Sequence, residues 1–360
     1  MITKTTQNIS ESNKGYDQDP VFSPDGKKIV WRSMKTAGYE SDKDRIMLYD
    51  FATKQMTDLS ANFDQSSASF CWSAKGDKFY FISGIKATFQ IYSYDMKKNT
   101  ITQITKGMHD YTGFAMAGPS IIGTRMSMSM PVEIYSIDEK KGTETQLTFT
   151  NKEILDGINL GNVEEKWFTT TDGKQMLTWI IYPPDFNPNK KYPALLYCQG
   201  GPQSAVSQFF SYRWNFQIMA AHDYIIIAPN RRGLPTFGQE WNDQIAGDYG
   251  GQNMKDYLTA VDEMAKMPYV DANRLGCVGA SYGGYSVFWL AGNHNKRFKV
   301  FISHCGMYNL ESQYAETEEF FFVNHDLGGP PWQQPKPKSY SYSPHLFVDK
   351  WDAPIMIISV

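Results

Sequence analysis

Leu275-Gly276-Cys277-Val278-Gly279-Ala280-Ser281-Tyr282-Gly283-Gly284-Tyr285 is the stretch that decides the fold. Its first four residues read as a short apolar strand. Gly279 to Gly283 then match G-x-S-x-G, which sets a serine on a tight turn between a strand and a helix. On that turn the serine oxygen stands clear of the backbone and is available as a nucleophile. The pattern alone is weak, because at average glycine usage a chance match in a chain of this length arises about one time in ten. The apolar strand before it and the helix-compatible segment after it are the context the motif requires.

A nucleophilic serine also needs donors aimed at the oxygen where negative charge develops. The backbone N–H of Tyr282 is one. Gln199-Gly200-Gly201-Pro202 follows the apolar run Ala194–Cys198, and the sequence predicts the second donor there, at Gln199 or Gly200, where glycine lets the backbone approach closely. The serine further needs a histidine base and an acid, in the chain order Ser, Asp/Glu, His. Four of the six histidines, His294, His304, His325 and His345, follow Ser281. The acid is expected after the second strand beyond the serine, Pro354–Ile358, whereas Asp326, Asp349 and Asp352 all precede it. His304, at the end of the strand next to the nucleophile strand, is expected to be structural or pocket-lining.

Outward from this motif, Ala194–Cys198, Tyr224–Ala228, Val300–His304 and Pro354–Ile358 are short continuous apolar runs, typical of strands buried on both faces. Phe168 to Tyr182 reads as a hairpin turning at Asp172-Gly173. Met254, Tyr257, Leu258, Val261, Met264 and Ala265 recur at helical spacing. Strand alternating with helix predicts an α/β domain over residues 156–360, with a parallel sheet covered on both sides.

Residues 1–155 follow a different pattern. Phe22-Ser23-Pro24-Asp25-Gly26-Lys27-Lys28 is echoed by Trp72-Ser73-Ala74-Lys75-Gly76-Asp77-Lys78. Ile46-Met47-Leu48-Tyr49-Asp50 recurs as Ile91-Tyr92-Ser93-Tyr94-Asp95 and as Ile134-Tyr135-Ser136-Ile137-Asp138, with 45 and then 43 residues between the aspartates. Four-strand repeats of this period mark β-propeller blades, and three are expected here.

The formal charge of −3 carries no footprint for nucleic acid or an anionic membrane, and no apolar run is long enough to cross one. Cys71, Cys198, Cys277 and Cys305 form no C-x-x-C pair; they are expected to be buried free thiols, with no metal site. Met1 to Ile9 has no apolar core for a secretion signal.

Gln199-Gly200-Gly201-Pro202-Gln203-Ser204, Arg213-Trp214-Asn215, Asn230-Arg231-Arg232-Gly233, Gly250-Gly251-Gln252-Asn253, the Ser281 motif and Ser343-Pro344 together resemble the prolyl oligopeptidase family of serine peptidases. The resemblance covers nearly the whole chain and implies a β-propeller followed by an α/β-hydrolase domain. It also implies release of dipeptides from peptides with a free N-terminus, through an acyl-enzyme on Ser281, without a cofactor and in a periplasmic or secreted setting. By position, Tyr308 and Tyr314 fall where relatives line the specificity pocket. A homodimer is compatible with the resemblance, and an esterase or a non-enzymatic propeller module are the alternatives. Where relatives continue after Ile357-Ile358 toward the catalytic Asp and His, this chain has Ser359-Val360. The expectation is therefore a piece cut at both ends, with an incomplete triad, an exposed apolar edge at Pro354–Ile358 and little activity.

Overall fold

A computed structural model of the chain describes residues 6–359. The N-terminal stretch Met1–Thr5 and the terminal Val360 lie outside the described residues.

Three four-stranded antiparallel sheets come first, each a simple meander. The first comprises β1 (Asp17–Phe22), β2 (Lys28–Ser33), β3 (Arg45–Asp50) and β4 (Gln55–Asp58). The second comprises β5 (Ser67–Trp72), β6 (Lys78–Ile85), β7 (Thr88–Asp95) and β8 (Thr100–Gln103), and the third β9 (Asp110–Ala117), β10 (Ser120–Ser127), β11 (Met130–Ile137) and β12 (Glu144–Gln146). Side chains on a strand alternate between faces, and β6 uses both. Phe79 and Phe81 pack with Val30, Ile46 and Leu48 of the first sheet, while Tyr80 and Ile82 pack with Tyr111, Ile121 and Tyr135 of the third. The second sheet is thus sandwiched between its neighbours.

The repeated aspartate has a local cause. Asp50 Oδ1 accepts the N–H groups of Ala52 and Thr53, Asp95 Oδ1 those of Lys97 and Lys98, and Asp138 Oδ1 those of Lys140 and Lys141. Each closes the turn after a third strand as an Asx-type turn. Those amides hold the Asp95 and Asp138 carboxyls below their ordinary value, and Asp50 is lowered first by the Lys28 ammonium and then by its turn amides. A second repeated device is absent from the sequence reading. Ser60, Thr105 and Thr148 carry hydroxyls that accept the N–H of Ile46, Ile91 and Ile134, at the same residue spacing as the aspartates.

After a short helix, α1 (Lys152–Asp156), the chain enters a seven-stranded sheet. Its strands are β13 (Val163–Thr169), β14 (Gln175–Ile181), β15 (Tyr192–Cys198), β16 (Ile225–Pro229), β17 (Val270–Ala280), β18 (Val300–His304) and β19 (Ile355–Ile358), in spatial order β13-β14-β16-β15-β17-β18-β19. The first two pairings in that order are antiparallel and the rest parallel. Both faces are covered: Ile225 and Ile227 enter one core cluster, Ile226 and Ala228 the other. That is why these strands read as unbroken apolar runs. The helices are α2 (Phe216–Ala221), α3 (Gln239–Asp243), α4 (Gln252–Ala265), α5 (Tyr282–Asn293), α6 (Leu310–Glu316) and α7 (Phe320–Asp326). At the sheet's edge β19 leaves Met356, Ile357 and Ile358 exposed, an apolar edge of the kind that recruits other strands.

The segment joining the second and third strand of every meander touches the α/β half. From the first sheet, Tyr39 Oη donates to Asp243, and Ser41 O accepts from Asn242 Nδ2. From the second, Lys86 and Ala87 donate their N–H groups to Thr236 O and Oγ1, at 3.0 and 2.9 Å. From the third, Ser129 Oγ accepts from Gln217 Nε2. Ala87 is fully buried. Thr236→Val keeps the shape but strips the acceptor from a buried N–H, which costs about 1–3 kcal/mol. Urea unfolding monitored by tryptophan fluorescence is expected to show that loss.

Candidate active site

Ser281 stands between β17 and α5 with φ 58° and ψ −124°, and it is exposed. A non-glycine residue at positive φ is strained and persists only where its surroundings over-determine it. Here they do. The Ser281 N–H donates to His304 O on the adjoining strand at 2.9 Å, and its C=O accepts from Tyr285 N at 3.0 Å.

The glycines around it are required by contact. A Cβ on Gly283 would lie 2.0 Å from Cys198 O, and one on Gly279 2.6 Å from Gly283 O. One on Gly284 would lie 2.7 Å from Gly306 Cα. Backbone therefore packs directly on backbone at the start of α5, holding the helix against the ends of β15 and β18. The N–H of Tyr282 opens that helix and has no partner among the described residues, as first-turn amides do not. Its side chain is buried, hydrogen-bonded to Tyr249 O and Asn253, with the Arg231 guanidinium 4.6 Å above the ring.

The loop after β15 reaches the serine. A Cβ on Gly200 would be 3.5 Å from Ser281 Cβ and 2.9 Å from Ala280 O. Arg231 sets the direction of this loop. It is fully buried, its Nε donates to Tyr257 Oη, and its Nη2 donates to Gln199 O at 3.4 Å and Pro202 O at 3.2 Å. In a trans peptide the C=O of one residue and the N–H of the next point opposite ways. With Gln199 O turned to Arg231, the Gly200 N–H points away from it, and no partner takes it among the described residues.

Gln199, predicted beside Gly200 as a donor, has both its donors engaged. Its backbone N–H is on Tyr257 Oη at 3.1 Å and its Nε2 is on Ser204 Oγ at 3.1 Å. It anchors the loop and leaves Gly200 as the open amide. Arg231 appears in the sequence reading only as part of a motif. Its role depends on a contact 32 residues away in sequence, which no local pattern signals.

The histidines do not join the serine. The His304 ring sits edge-on to Trp214, 6.1 Å between centroids, and no histidine ring is hydrogen-bonded to Ser281 among the described residues. His294 Nε2 pairs with Asp352 Oδ1 at 2.8 Å, but at the far end of α5, a helix length of ~18 Å from Ser281. His325 bonds Ala37 O and His345 bonds Ser343. Tyr308 is exposed and borders an apolar groove of about 370 Å3 with Phe288, Trp351 and Ile358. Tyr314 is buried, its hydroxyl on Asn324 and its ring against Phe320 and Trp332. Of the thiols, Cys198 and Cys277 are buried and 3.6 Å apart, whereas Cys71 is half-buried and Cys305 exposed. The expectation of four buried thiols therefore fails at those two. Cys305 follows the last residue of β18 and sits in the wall of the Tyr308 groove.

Asp326, at the end of α7, is fully buried and accepts Gln203 Nε2 on both oxygens, at 3.2 and 3.1 Å. Burial pushes its carboxyl up to about 7, reinforced by Glu40 and opposed by Gln203 and Arg231. Asp326 thus ties the Gln203 side of the serine-facing loop to α7.

Two outcomes follow from this geometry. Gly283→Ala is expected to destabilise the chain by roughly 1–3 kcal/mol, the scale of overpacking, read from the urea midpoint. For Asp326 the folded state holds a proton that the unfolded chain releases. Its contribution is intact below 3.8 and is lost as pH rises toward about 7. The Tm of the natural chain is expected to fall across that window relative to Asp326→Asn, and the difference to level off above it.

A model of the prolyl oligopeptidase family matches residues 210–359. The dipeptidyl-peptidase 5 of Porphyromonas gingivalis is 51% identical over 356 residues, covering 98% of this chain and 52% of that protein. The protein of the same name from Porphyromonas endodontalis is 51% identical over 361 residues, 99% of this chain and 52% of its own. The chain thus spans about half the length of the curated relatives it matches. Among solved structures, an acylaminoacyl peptidase of Pyrococcus horikoshii superposes with a TM-score of 0.83 at 25% identity, over 93% of this chain and 52% of that one. The dipeptidyl peptidase 4 of P. gingivalis, at 21% identity, shares the fold with a TM-score of 0.76 over 96% of this chain and 49% of its own. A sheet-rich N-terminal half leading into an α/β-hydrolase half that presents Ser281 on a strained turn agrees with these likenesses, and residues 210–359 are similar to the prolyl oligopeptidase family.

Proposed function

We propose that this chain carries the acylating half of a serine peptidase that releases dipeptides from the free N-termini of peptides. Residues 1–155 are three blades of a β-propeller, and residues 156–360 are the hydrolase domain. Ser281 Oγ attacks the carbonyl of the second residue, and the N–H groups of Tyr282 and Gly200 stabilise the oxyanion. Tyr308 and Tyr314 belong to the wall of the side-chain pocket. The observation that carries this reading is the exposed, strained Ser281 with the open Gly200 loop packed against it. The 51% identical relatives named dipeptidyl-peptidase 5 support the dipeptide product.

The same reading makes the 360-residue chain by itself a poor catalyst. Proton transfer from serine needs a base within hydrogen-bond reach, and no histidine ring meets Ser281 among the described residues. In subtilisin, loss of the serine or the histidine costs ~10⁶ in turnover, leaving ~10³–10⁴ over water.

A boronic acid forms a tetrahedral adduct on a serine oxygen and so mimics the intermediate. A dipeptidyl boronate with a free amino terminus is expected to form that adduct with the chain, seen by boron NMR, and Ser281→Ala is expected to abolish it. Equal binding of a plain butyl boronate would instead favour an esterase. A dipeptidyl coumarylamide is expected to turn over far below the ~10 s⁻¹ ordinary for enzymes; turnover near that value would overturn the incomplete-triad reading.

A further inference from the structure

A cleft of about 550 Å3 opens between the second and third sheets. Its floor is one face of the second sheet. Lys78 lies opposite Asp95, Ser93 opposite Thr102 and Asp95 opposite Thr100 across β6, β7 and β8, so these side chains stand on the same side. The facing wall is the turn at residues 140–142 of the third sheet, seated so closely that a Cβ on Gly142 would lie 2.5 Å from Ile104 O. The cleft is at the end of the sheets remote from the α/β half. The join before β7 touches Thr236, and β7 then runs eight residues, ~27 Å, to Asp95.

The wall carries five lysines against two carboxylates, in a chain whose formal charge is −3. Both carboxylates are engaged. Glu139 takes the Lys78 ammonium at 2.6 Å, and Asp95 Oδ1 accepts the N–H groups of Lys97 and Lys98. Lys98, Lys106, Lys140 and Lys141 have no carboxylate partner among the described residues. The hydroxyls of Ser93, Thr100 and Thr102 make no hydrogen bond among the described residues either, although Ser93 is only 8% exposed. A buried hydroxyl is ordinarily paired. Unpaired ammoniums and hydroxyls from two sheets therefore offer donors to one space, and no acceptor fills it.

A phosphate group brings a charge of about −1.5 to −2 and three strong acceptor oxygens at pH 7. Two such groups match the four unpaired ammoniums, whereas a carboxylate brings one charge each. Lysine binds phosphate as a point charge, and the wall holds no arginine, whose planar fork suits carboxylates. The wall also lacks an aromatic side chain, and it is a recess between sheets, which suits a ligand entering from solution. We propose that this cleft binds a free ligand carrying two or more linked phosphate groups, a pyrophosphate or oligophosphate moiety. Lys98, Lys106, Lys140 and Lys141 neutralise it, and Ser93, Thr100 and Thr102 donate to its oxygens. The site is a strand's length from the α/β half, so its occupant leaves Ser281 open.

Calorimetric titration of the 360-residue chain in low salt with inorganic tripolyphosphate, orthophosphate and citrate tests it. Tripolyphosphate is expected to bind, and orthophosphate at least ~10-fold more weakly, because linked groups make the second contact intramolecular. Citrate, with three carboxylates, is expected to be weaker by at least the same factor. Lys140→Ala combined with Lys141→Ala is expected to cost tripolyphosphate as much, and Ser93→Ala, which changes no charge, roughly threefold. Lys190→Ala combined with Lys191→Ala, an exposed pair on the α/β half, is expected to change nothing. No binding of tripolyphosphate, equal binding of either comparison anion, unchanged binding by the cleft variants, or equal loss in the Lys190 and Lys191 variant would each overturn the site. Asp138 closes the turn through backbone N–H groups alone, so the Lys140 and Lys141 variant keeps it; should that variant fail to fold, Ser93→Ala and the anion comparison decide. Phosphatidylcholine vesicles carrying a bisphosphorylated inositol lipid are expected not to sediment the chain. Sedimentation that the Lys140 and Lys141 substitutions abolish would overturn the free ligand in favour of a lipid headgroup.

Discussion

Between the carbonyl of Cys198 and the α-carbon of Gly283 there is no room for one more carbon atom. That approach of helix backbone to strand backbone is the constraint on which the rest of the α/β half depends. It fixes α5 against the end of β15, holds Ser281 in a conformation that an ordinary residue avoids, and leaves the first amides of the helix facing outward. Gly279, Gly284 and Gly306 extend the same contact, so strands β15, β17 and β18 converge on one point. Any side chain there would push the helix off the sheet and relax the turn.

A second constraint acts from inside. Arg231 is a buried charge with no carboxylate paired to it among the described residues; backbone carbonyls, a tyrosine hydroxyl and the face of Tyr282 solvate it. A buried charge is costly unless its donors are satisfied, so the loop from Gln199 to Pro202 is drawn onto it. The carbonyls of Gln199 and Pro202 turn inward, and the Gly200 N–H points away from Arg231. The first sheet meets this loop at Gln203, which bonds both Ser41 and Asp326. The serine turn, the loop and the first sheet are therefore mechanically continuous through Arg231, Gln203 and Asp326.

Much of this was legible in the sequence where the cause is local. Asp50, Asp95 and Asp138 announced the three meanders because each closes its own turn. Ser60, Thr105 and Thr148 carry the same period and were legible in principle, but a hydroxyl bonded to a strand 14 residues away leaves no turn signature. The apolar runs Ala194–Cys198 and Tyr224–Ala228 revealed strands covered on both faces. Cys305 shows where local character misleads. It follows the last residue of a buried strand, at φ 48° and already on the surface, because the chain turns at Gly306 to clear Gly284.

The sequence by itself determined the two halves, the repeat, the serine turn and the glycines that turn requires. Each rests on the period of side chains or on the conformational freedom of a single residue. Only the tertiary structure decided that Gln199 anchors while Gly200 is left open, that the His294–Asp352 pair lies a helix length from the serine, and that Glu40, Ser67 and Asn242 line one cleft with Gln203 of the serine loop. Those outcomes depend on groups 32 to 202 positions apart meeting in space. Which donor is spent and which remains is set by the partner it meets, and spacing along the chain does not encode that.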